Sequence, residues 1–533
     1  MSMPEVAVSA ADGGLSVPSR RRPPPTLLAA AVLPAGLVLL PLAYTALQAA
    51  RVGADEAAAL LFRPLVGELL VNTLTLVVAA TVVAAVIGTA AAWFVERTLL
   101  PGRRAWAVLA AVPLAIPAFV TSYAWVSLSA ALQDFAGALL VVTCSYFPLI
   151  YLPVAAALHG MDPVLEETAR SLGQSPWGCF LRVVLPQLRP ALLGGMLLVA
   201  LHTLTEFGAF ALLRFRTFTT EIYAEYRIGF GGPQASLLSV VLILLCLLCL
   251  IAEVRVRGTG RYARVARGTR RRAAPHELGW ARWPVLAGFV TLALATLGVP
   301  LGMILYWLTQ HSSAAISPTT VSATRLVSAT SSSIGLGLAG AALTLVLALP
   351  LGFLATRYEG RLVTLLERTA YLAQGMTGIV LALALVSLTV RALRPLYQSA
   401  ALLVVAYAIL FLPLALVSVR AALAQAQRSL EEAGRSLGLS WMAVVWRVML
   451  PLAGPGLGAA AAVVFVSVVT ELTATLLLAP IGTRTLATQV WVNTSSLAFA
   501  AAAPYAALMV VISLLSTWLL ARRFGGVGLL AAS

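Results

Sequence analysis

The chain has 533 residues, 60% of them hydrophobic and only 11% charged, with a mean hydropathy of +0.94, which excludes a soluble globular protein of this size. Its formal charge of +16 rests on 36 basic residues that are all arginine. With no lysine the chain cannot build a G-x-x-x-x-G-K-[ST] phosphate loop, so any ATP hydrolysis must come from a partner.

Residues 1–26 are polar, Pro-rich and carry Arg20, Arg21 and Arg22, which reads as a disordered cytoplasmic tail. The apolar run from 27 to 49 is longer than a cleavable signal core and reads as a first membrane span. Further runs predict spans near 69–95, 105–130, 137–158, 190–213 and 235–253, closing a first half over 27–253. An Arg-rich linker, 254–283, has no apolar stretch and reads as a tether near anionic lipid rather than a nucleic-acid site. A second half, 284–523, repeats the pattern near 284–308, 332–356, 369–390, 399–421, 455–479 and 503–521, and 524–533 is a tail. Each run is about 20 residues or more, enough to cross about 30 Å of hydrocarbon, and only helices satisfy their own backbone there. The expected fold is therefore an all-α polytopic membrane protein of about twelve spans. Placing the N-terminus inside puts 27 arginines on the cytoplasmic side and 9 outside, so both termini are expected in the cytoplasm.

The two halves are a sequence repeat. Glu167-Thr-Ala-Arg-Ser-Leu-Gly173 returns as Glu432-Ala-Gly-Arg-Ser-Leu-Gly438, 265 residues later, and the same offset carries Pro148 to Pro413, Leu185-Pro186 to Leu450-Pro451 and Thr205-Glu206 to Thr470-Glu471. Upstream, Asn72-Thr73 and Arg97 align with Ser332-Ser333 and Arg357 at an offset of 260. An even number of spans per repeat gives both halves one orientation, related by a pseudo-twofold axis along the membrane normal.

After the fourth span of each half, a loop carries a short helix. Asp162-Pro163 opens the first and Gly173 stops it; Ser429 and Glu432 form a capping box for the second, and Gly438 stops it. Both helices are expected to run about ten residues. Leu165, Ala169 and Leu172, matched by Leu430, Gly434 and Leu437, form an apolar stripe expected to meet another protein, with Ala169 and Gly434 allowing close approach.

The pattern E-A-A, three residues, G, nine residues, an apolar residue, one residue, L-P marks binding-protein-dependent ABC importer permeases. The chain resembles it at Glu167-Thr168-Ala169, Gly173, Val183 and Leu185-Pro186, and again at Glu432-Ala433-Gly434, Gly438, Val448 and Leu450-Pro451. The departures are Thr168 and Gly434 for alanine and valines for the usual isoleucine. The resemblance implies that 162–174 and 428–439 are coupling helices seated in two copies of an ABC ATPase, which bind ATP and Mg. It also implies ATPase-coupling roles for Glu167, Ala169, Gly173, Pro186, Glu432, Gly434, Gly438 and Pro451. An extracytoplasmic binding protein would deliver the substrate, the setting would be a bacterial inner membrane, and this chain would carry no cofactor and no catalytic residue.

Glu206 and Glu471 are ionisable residues within spans, equivalent by repeat and about 16 residues past Pro190 and Pro455, so about 24 Å along each helix. Carboxylates without arginine at mid-span suit a hard metal cation, which they would hold transiently. His202 has no counterpart and reads as packing; Cys246 and Cys249 lack further ligands and do too. The run Glu471-Leu-Thr-Ala-Thr-Leu-Leu-Leu478 with Gly482 and Thr485-Leu486-Ala487, and Glu206-Phe207-Gly208, look like ferric-ion permeases that are also two-half fusions. Permeases for thiamine, polyamines or aminophosphonates share much of this pattern. A major-facilitator transporter would need a G-x-x-x-D-type loop after its second span, which 96–104 lacks.

Overall fold

The computed structural model describes residues 23–162, 164–229, 232–257, 275–310, 322–425 and 428–524. The N-terminal tail with Arg20–Arg22, Pro163, most of the Arg-rich linker and nearly all of the C-terminal tail lie outside these residues.

The first half runs α1 (Pro25–Ala50), α2 (Ala54–Leu61), α3 (Pro64–Arg97), α4 (Arg103–Ala111), α5 (Ala118–Leu128), α6 (Phe135–Tyr146), α7 (Pro148–Gly160), α8 (Val164–Ser171), α9 (Pro176–Cys179), α10 (Leu185–Thr205), α11 (Gly208–Leu212), α12 (Phe218–Gly229) and α13 (Gly232–Arg257). The second runs α14 (Arg282–Ala293), α15 (Val299–Thr309), α16 (Ala323–Arg357), α17 (Arg361–Tyr371), α18 (Gly378–Ala392), α19 (Ala400–Gln425), α20 (Arg428–Ser436), α21 (Trp441–Val444), α22 (Leu450–Thr470), α23 (Thr473–Leu478), α24 (Leu486–Ser495) and α25 (Phe499–Phe524). Ten helices among the described residues are long and apolar enough to cross a membrane, or twelve if two bent pairs each count as one span. The chain is thus an all-α, multi-pass membrane protein.

The bent pairs correct the third span expected in each half. Near 105–130 the chain turns by 94° between Ala115 and Ala118, and near 369–390 by 103° between Gly375 and Gly378. Pro117 starts the new helix at the first bend; at the second, Thr377 caps it by accepting the Val380 N–H at 3.2 Å. The fifth spans also end sooner than expected. α10 and α22 stop at Thr205 and Thr470, and a short helix follows each break.

Three π-helical turns, Phe180–Val184, Leu294–Gly298 and Val445–Met449, each end two residues before a proline: Pro186, Pro300 and Pro451. A proline ring collides with the carbonyl four residues back and donates no N–H, and a widened turn accommodates both defects. The Leu-Pro of each repeat is therefore a built kink at the root of α10 and α22.

Packing crosses the sequence division. Ala31, Ala35 and Val38 of α1 are buried in a core otherwise drawn from α16 to α23, while Leu297 and Ile304, beside and within α15, are buried with Phe119 and Tyr123 of α5. Each half thus lends its first helix to the other. Within the first half, α10 reaches α7 through Gly195, where an added Cβ would lie 2.8 Å from the Ile150 Cα and the Leu149 carbonyl. Gly195→Val should cost about 1 to 3 kcal/mol through overpacking against backbone that has no rotamer to yield. Detergent-solubilised thermal unfolding tests this, and an unchanged midpoint would contradict the contact.

Candidate functional site

Two regions related by the repeat hold the candidate residues: the short helices α8 and α20, and the breaks after α10 and α22.

α8 and α20 are eight and nine residues long, close to the ten expected. Asp162 Oδ1 accepts the Val164 N–H at 3.1 Å, as an N-cap should. α20 is described from Arg428, so Ser429 and Glu432 of the expected capping box both fall within it. Both helices end in the same double-bonded cap. Gly173 N–H donates to Arg170 O and Gln174 N–H to Ala169 O; Gly438 and Leu439 do the same toward Arg435 and Gly434. Gly173 and Gly438 sit at φ of +82° and +83°, with open space around them, so backbone conformation and not crowding demands glycine there.

Burial separates two adjacent glutamates in each copy. Glu167 and Glu432 point outward and are exposed, whereas Glu166, 7% exposed, turns inward. Glu166 Oε2 lies 3.5 Å from Arg97 Nη2 at the end of α3, and Glu431 Oε2 lies 3.3 Å from Arg357 Nε at the end of α16. The sequence marks the two arginines as repeat positions and Glu167 and Glu432 as candidates for a partner contact; the inward ion pairs are made by their neighbours Glu166 and Glu431. The periodicity held the signal: Glu166 lies three residues before the small buried Ala169, and Glu431 three before Gly434.

Ala169 and Gly434 are also corrected. Both are buried toward their own bundle, and a Cβ on Gly434 would meet Val444 and Val448 at 3.3 and 3.8 Å. Their smallness lets each helix lie down on the π-turn beside it. The outward apolar surface is made instead by Leu165 and Leu430, half exposed, and by Leu172 and Leu437, 78% and 83% exposed. Pro186 and Pro451 stand at the kinks that join α9 and α21 to the long helices.

The first copy has an additional contact. Backbone of His276, just before α14, pairs with α3's end, through Leu99 N–H to His276 O at 2.9 Å and His276 N–H to Arg97 O at 2.8 Å. Its ring Nε2 lies 2.7 Å from Arg170 Nη2. A guanidinium only donates, so Nε2 accepts and the imidazole is neutral with its proton on Nδ1. Burial lowers the His276 pKa, the Arg170 charge and then Arg97 lower it further, and Glu166 opposes them.

In the middle of the bundle, Glu206 and Glu471 end their helices and cap the next ones. Glu206 Oε1 accepts the Ala209 N–H at 2.9 Å, and Glu471 Oε1 accepts those of Thr473 and Ala474, each at 3.0 Å. Carboxylates at the positive ends of α11 and α23 satisfy N–H groups that apolar surroundings would leave unpaired. The two halves touch here. A Cβ on Gly208 would come within 2.8 Å of Leu472 and 2.9 Å of Phe119, and one on Gly378 within 2.6 Å of Glu471 Oε1. The Gly208–Leu472 contact brings the two breaks side by side. Tyr146 donates to Glu206 Oε2 at 2.6 Å and its ring stands 5.2 Å from that of His202. His202 thus belongs to the same cluster, which its lack of a counterpart concealed. Tyr146 was missed because its repeat partner, Phe411, has no hydroxyl. Among the described residues no cluster of three or more His, Cys, Asp or Glu forms a metal cage.

The family described as binding-protein-dependent transport system inner membrane component matches residues 86–257 and 348–524. The Fe(3+)-transport system permease protein FbpB 2 of Haemophilus influenzae is 38% identical over 503 residues, covering 94% of this chain and 99% of that protein. The Escherichia coli sulfate transport system permease protein CysT is 27% identical over 39% of this chain and 82% of its own length. The Escherichia coli molybdenum transport system permease protein ModB is 29% identical over 26% of this chain and 64% of its own.

Two outcomes check this geometry. Glu166→Ala leaves Arg97 charged and buried without its ion pair and should destabilise by about 3 to 5 kcal/mol, while Glu167→Ala should be near neutral; equal unfolding midpoints for the two variants would refute the assignment. The folded-state pKa of His276 lies below its ordinary value, so the unfolded chain takes up the proton first. The Arg170 contact should therefore contribute fully above about pH 6.5 and be lost as pH falls through the lowered value. Histidine titration by NMR should give His276 a midpoint below that of a free imidazole; one at or above it contradicts the contact.

Proposed function

The chain belongs to the binding-protein-dependent transport inner membrane components, as a permease with two fused halves, and from that premise we propose that it carries ferric iron inward, driven by two copies of a separate ABC ATPase. A substrate-binding protein on the outer side delivers the ion. ATP and Mg bind in the ATPases, and this chain contributes no catalytic residue.

The observation that carries the coupling role is the pair α8 and α20. A single short helix could be packing; two in register, each presenting an exposed leucine pair and each tied to a long span by an Arg-Glu pair, form two handles. A force on α8 reaches α3 through Glu166 and Arg97, and reaches α10 through α9 and the π-turn. We assign Glu167, Gly173, Glu432 and Gly438 to the ATPase contact or its shape, and Ala169, Gly434, Pro186 and Pro451 to seating the handles on the bundle. That end is cytoplasmic in this reading, as are both termini.

The cargo assignment draws support from the nearly full-length relative named for Fe(3+) transport and from the chemistry of Glu206 and Glu471. Ferric ion is a hard cation that prefers oxygen ligands. Each carboxylate keeps an oxygen beyond its backbone bonds, and Tyr146 adds a phenol oxygen beside Glu206. Opening the halves would let the ion replace the Tyr146 proton donor and pass between the two.

The test is reconstitution of the full chain with its ATPase and binding protein in proteoliposomes. Glu206→Gln with Glu471→Gln should lower iron uptake at least tenfold while ATPase assembly persists, and cysteines at Leu172 and Leu437 should crosslink to the ATPase. Undiminished uptake would remove the carboxylates from the pathway, and absence of crosslinks would remove the handles.

A further inference from the structure

Beyond the breaks, at the end of the bundle opposite α8 and α20, a cavity of about 250 Å³ lies between the halves. Its floor is aromatic. Phe207, next in sequence to Glu206, packs 4.8 Å from Tyr223 of α12 and 5.4 Å from Trp491 of α24, ring centre to ring centre. Tyr223 and Trp491 are themselves equivalent: α12 and α24 start alike, with Phe218 N–H bonded to Thr73 and Leu486 N–H to Ser333, and each ring stands five residues on. All three rings line the cavity, and neither Glu206 nor Glu471 does.

The polar wall has the opposite character to that pair. Arg214 and Gln133 line the cavity, and no Asp or Glu is among its lining residues. The hydroxyls of Thr220, Thr494 and Ser495, also on the wall, are spent on nearby carbonyls, and the other donor-bearing side chains there are Arg214, Gln133, Tyr223 and Trp491. Arg214 holds φ of +53° and Leu497, also on the wall, +59°, two of the three non-glycine residues with positive φ among the described residues. Side-chain-bearing residues rarely adopt that conformation, and such positions gather where a site fixes its groups.

We propose that this cavity is an entry site for a small oxyanion or carboxylate that accompanies the metal ion. A guanidinium over an aromatic floor without carboxylates attracts anions, and the Glu206–Glu471 pair beneath repels a free one. A solute that suits both is a cation still carrying its anionic ligand: the anion rests on Arg214 and Gln133 while the metal faces the floor, which opens toward the carboxylates. The cation here rests on the ferric reading; the anion site does not.

Equilibrium binding of ¹⁴C-citrate and ³²P-phosphate, in separate arms, to the purified full chain in nanodiscs tests the site without iron. At least one anion should bind; Arg214→Gly, which glycine's backbone tolerates at this φ, should weaken it at least tenfold, Arg214→Lys should retain most of it, and Arg216→Gln, off the cavity, should change nothing. Dual-label uptake in proteoliposomes should then move that anion with ⁵⁵Fe. Binding of neither anion, equal binding to Arg214→Gly, or iron accumulating without the anion would each overturn the proposal. Intact anion binding in a protein that takes up no iron would uphold the site and overturn the ferric reading instead.

Discussion

A helix interrupted in apolar surroundings exposes N–H groups that no water can satisfy, and the centre of this protein is organised around that constraint. Both fifth spans break at equivalent glutamates, and each carboxylate turns to bind the first N–H groups of the helix that follows. The break is what lets Phe207 and Leu472 point across the axis and lets Gly208 touch the other half. It also leaves two carboxyl groups at neighbouring breaks, where the proposed pathway runs. In the proposed reading the capping oxygen and the oxygen offered to an ion belong to the same carboxyl group. An ion that drew on these carboxylates would pull on the groups that cap α11 and α23, so the proposed passage would be coupled to the conformation of those helices.

The same economy appears at the other end. Arg97, buried, and Arg357, largely covered, stand at the ends of the two longest helices and pair with Glu166 of α8 and Glu431 of α20; Arg357 also donates to the Leu423 carbonyl at 3.4 Å. A buried pair is a poor source of net stability but a strong penalty on separation. Such a link suits a part that must be pushed without being pulled off. The π-turns before Pro186 and Pro451 give the second attachment, so each handle is held at two points, α3 or α16 by charge and α10 or α22 by chain.

Much of this was legible in the sequence because membrane spans advertise themselves by length and hydropathy, and because gene-level repetition fixes register without any structure. The ends of α8 and α20 were readable from Asp162, Gly173 and Gly438, whose preferences are local. What escaped was relational. Choosing Glu166 over Glu167 requires knowing which face of an eight-residue helix lies on the bundle, and the small residues Ala169 and Gly434 admit either a partner or the protein's own π-turn. The 94° and 103° bends leave hydropathy continuous, so the spans near 105–130 and 369–390 look unbroken. Exchange of α1 and α15 between halves leaves no local mark, since a helix buried on one face reads alike whichever half supplies its partner.

The halves are alike in architecture and unlike in chemistry, and the differences fall at the broken spans, the outer cavity and α8. Glu206 has a phenol donor and an imidazole neighbour where the repeat offers Phe411 and Ser467; the aromatic Phe207 corresponds to the aliphatic Leu472; and Arg214 corresponds to Ala479. At the other end only α8 is touched by His276, the residue where the chain re-enters the bundle after the linker. Fusion of the two halves makes such divergence possible, because a symmetric dimer would have to carry every one of these groups twice. A second guanidinium at the outer cavity would oppose the cation, and a second phenol on Glu471 would compete with the two N–H groups already on it. The asymmetry is thus a consequence of placing one path along a pseudo-twofold axis: each half needs the common frame, and only one need supply each ligand.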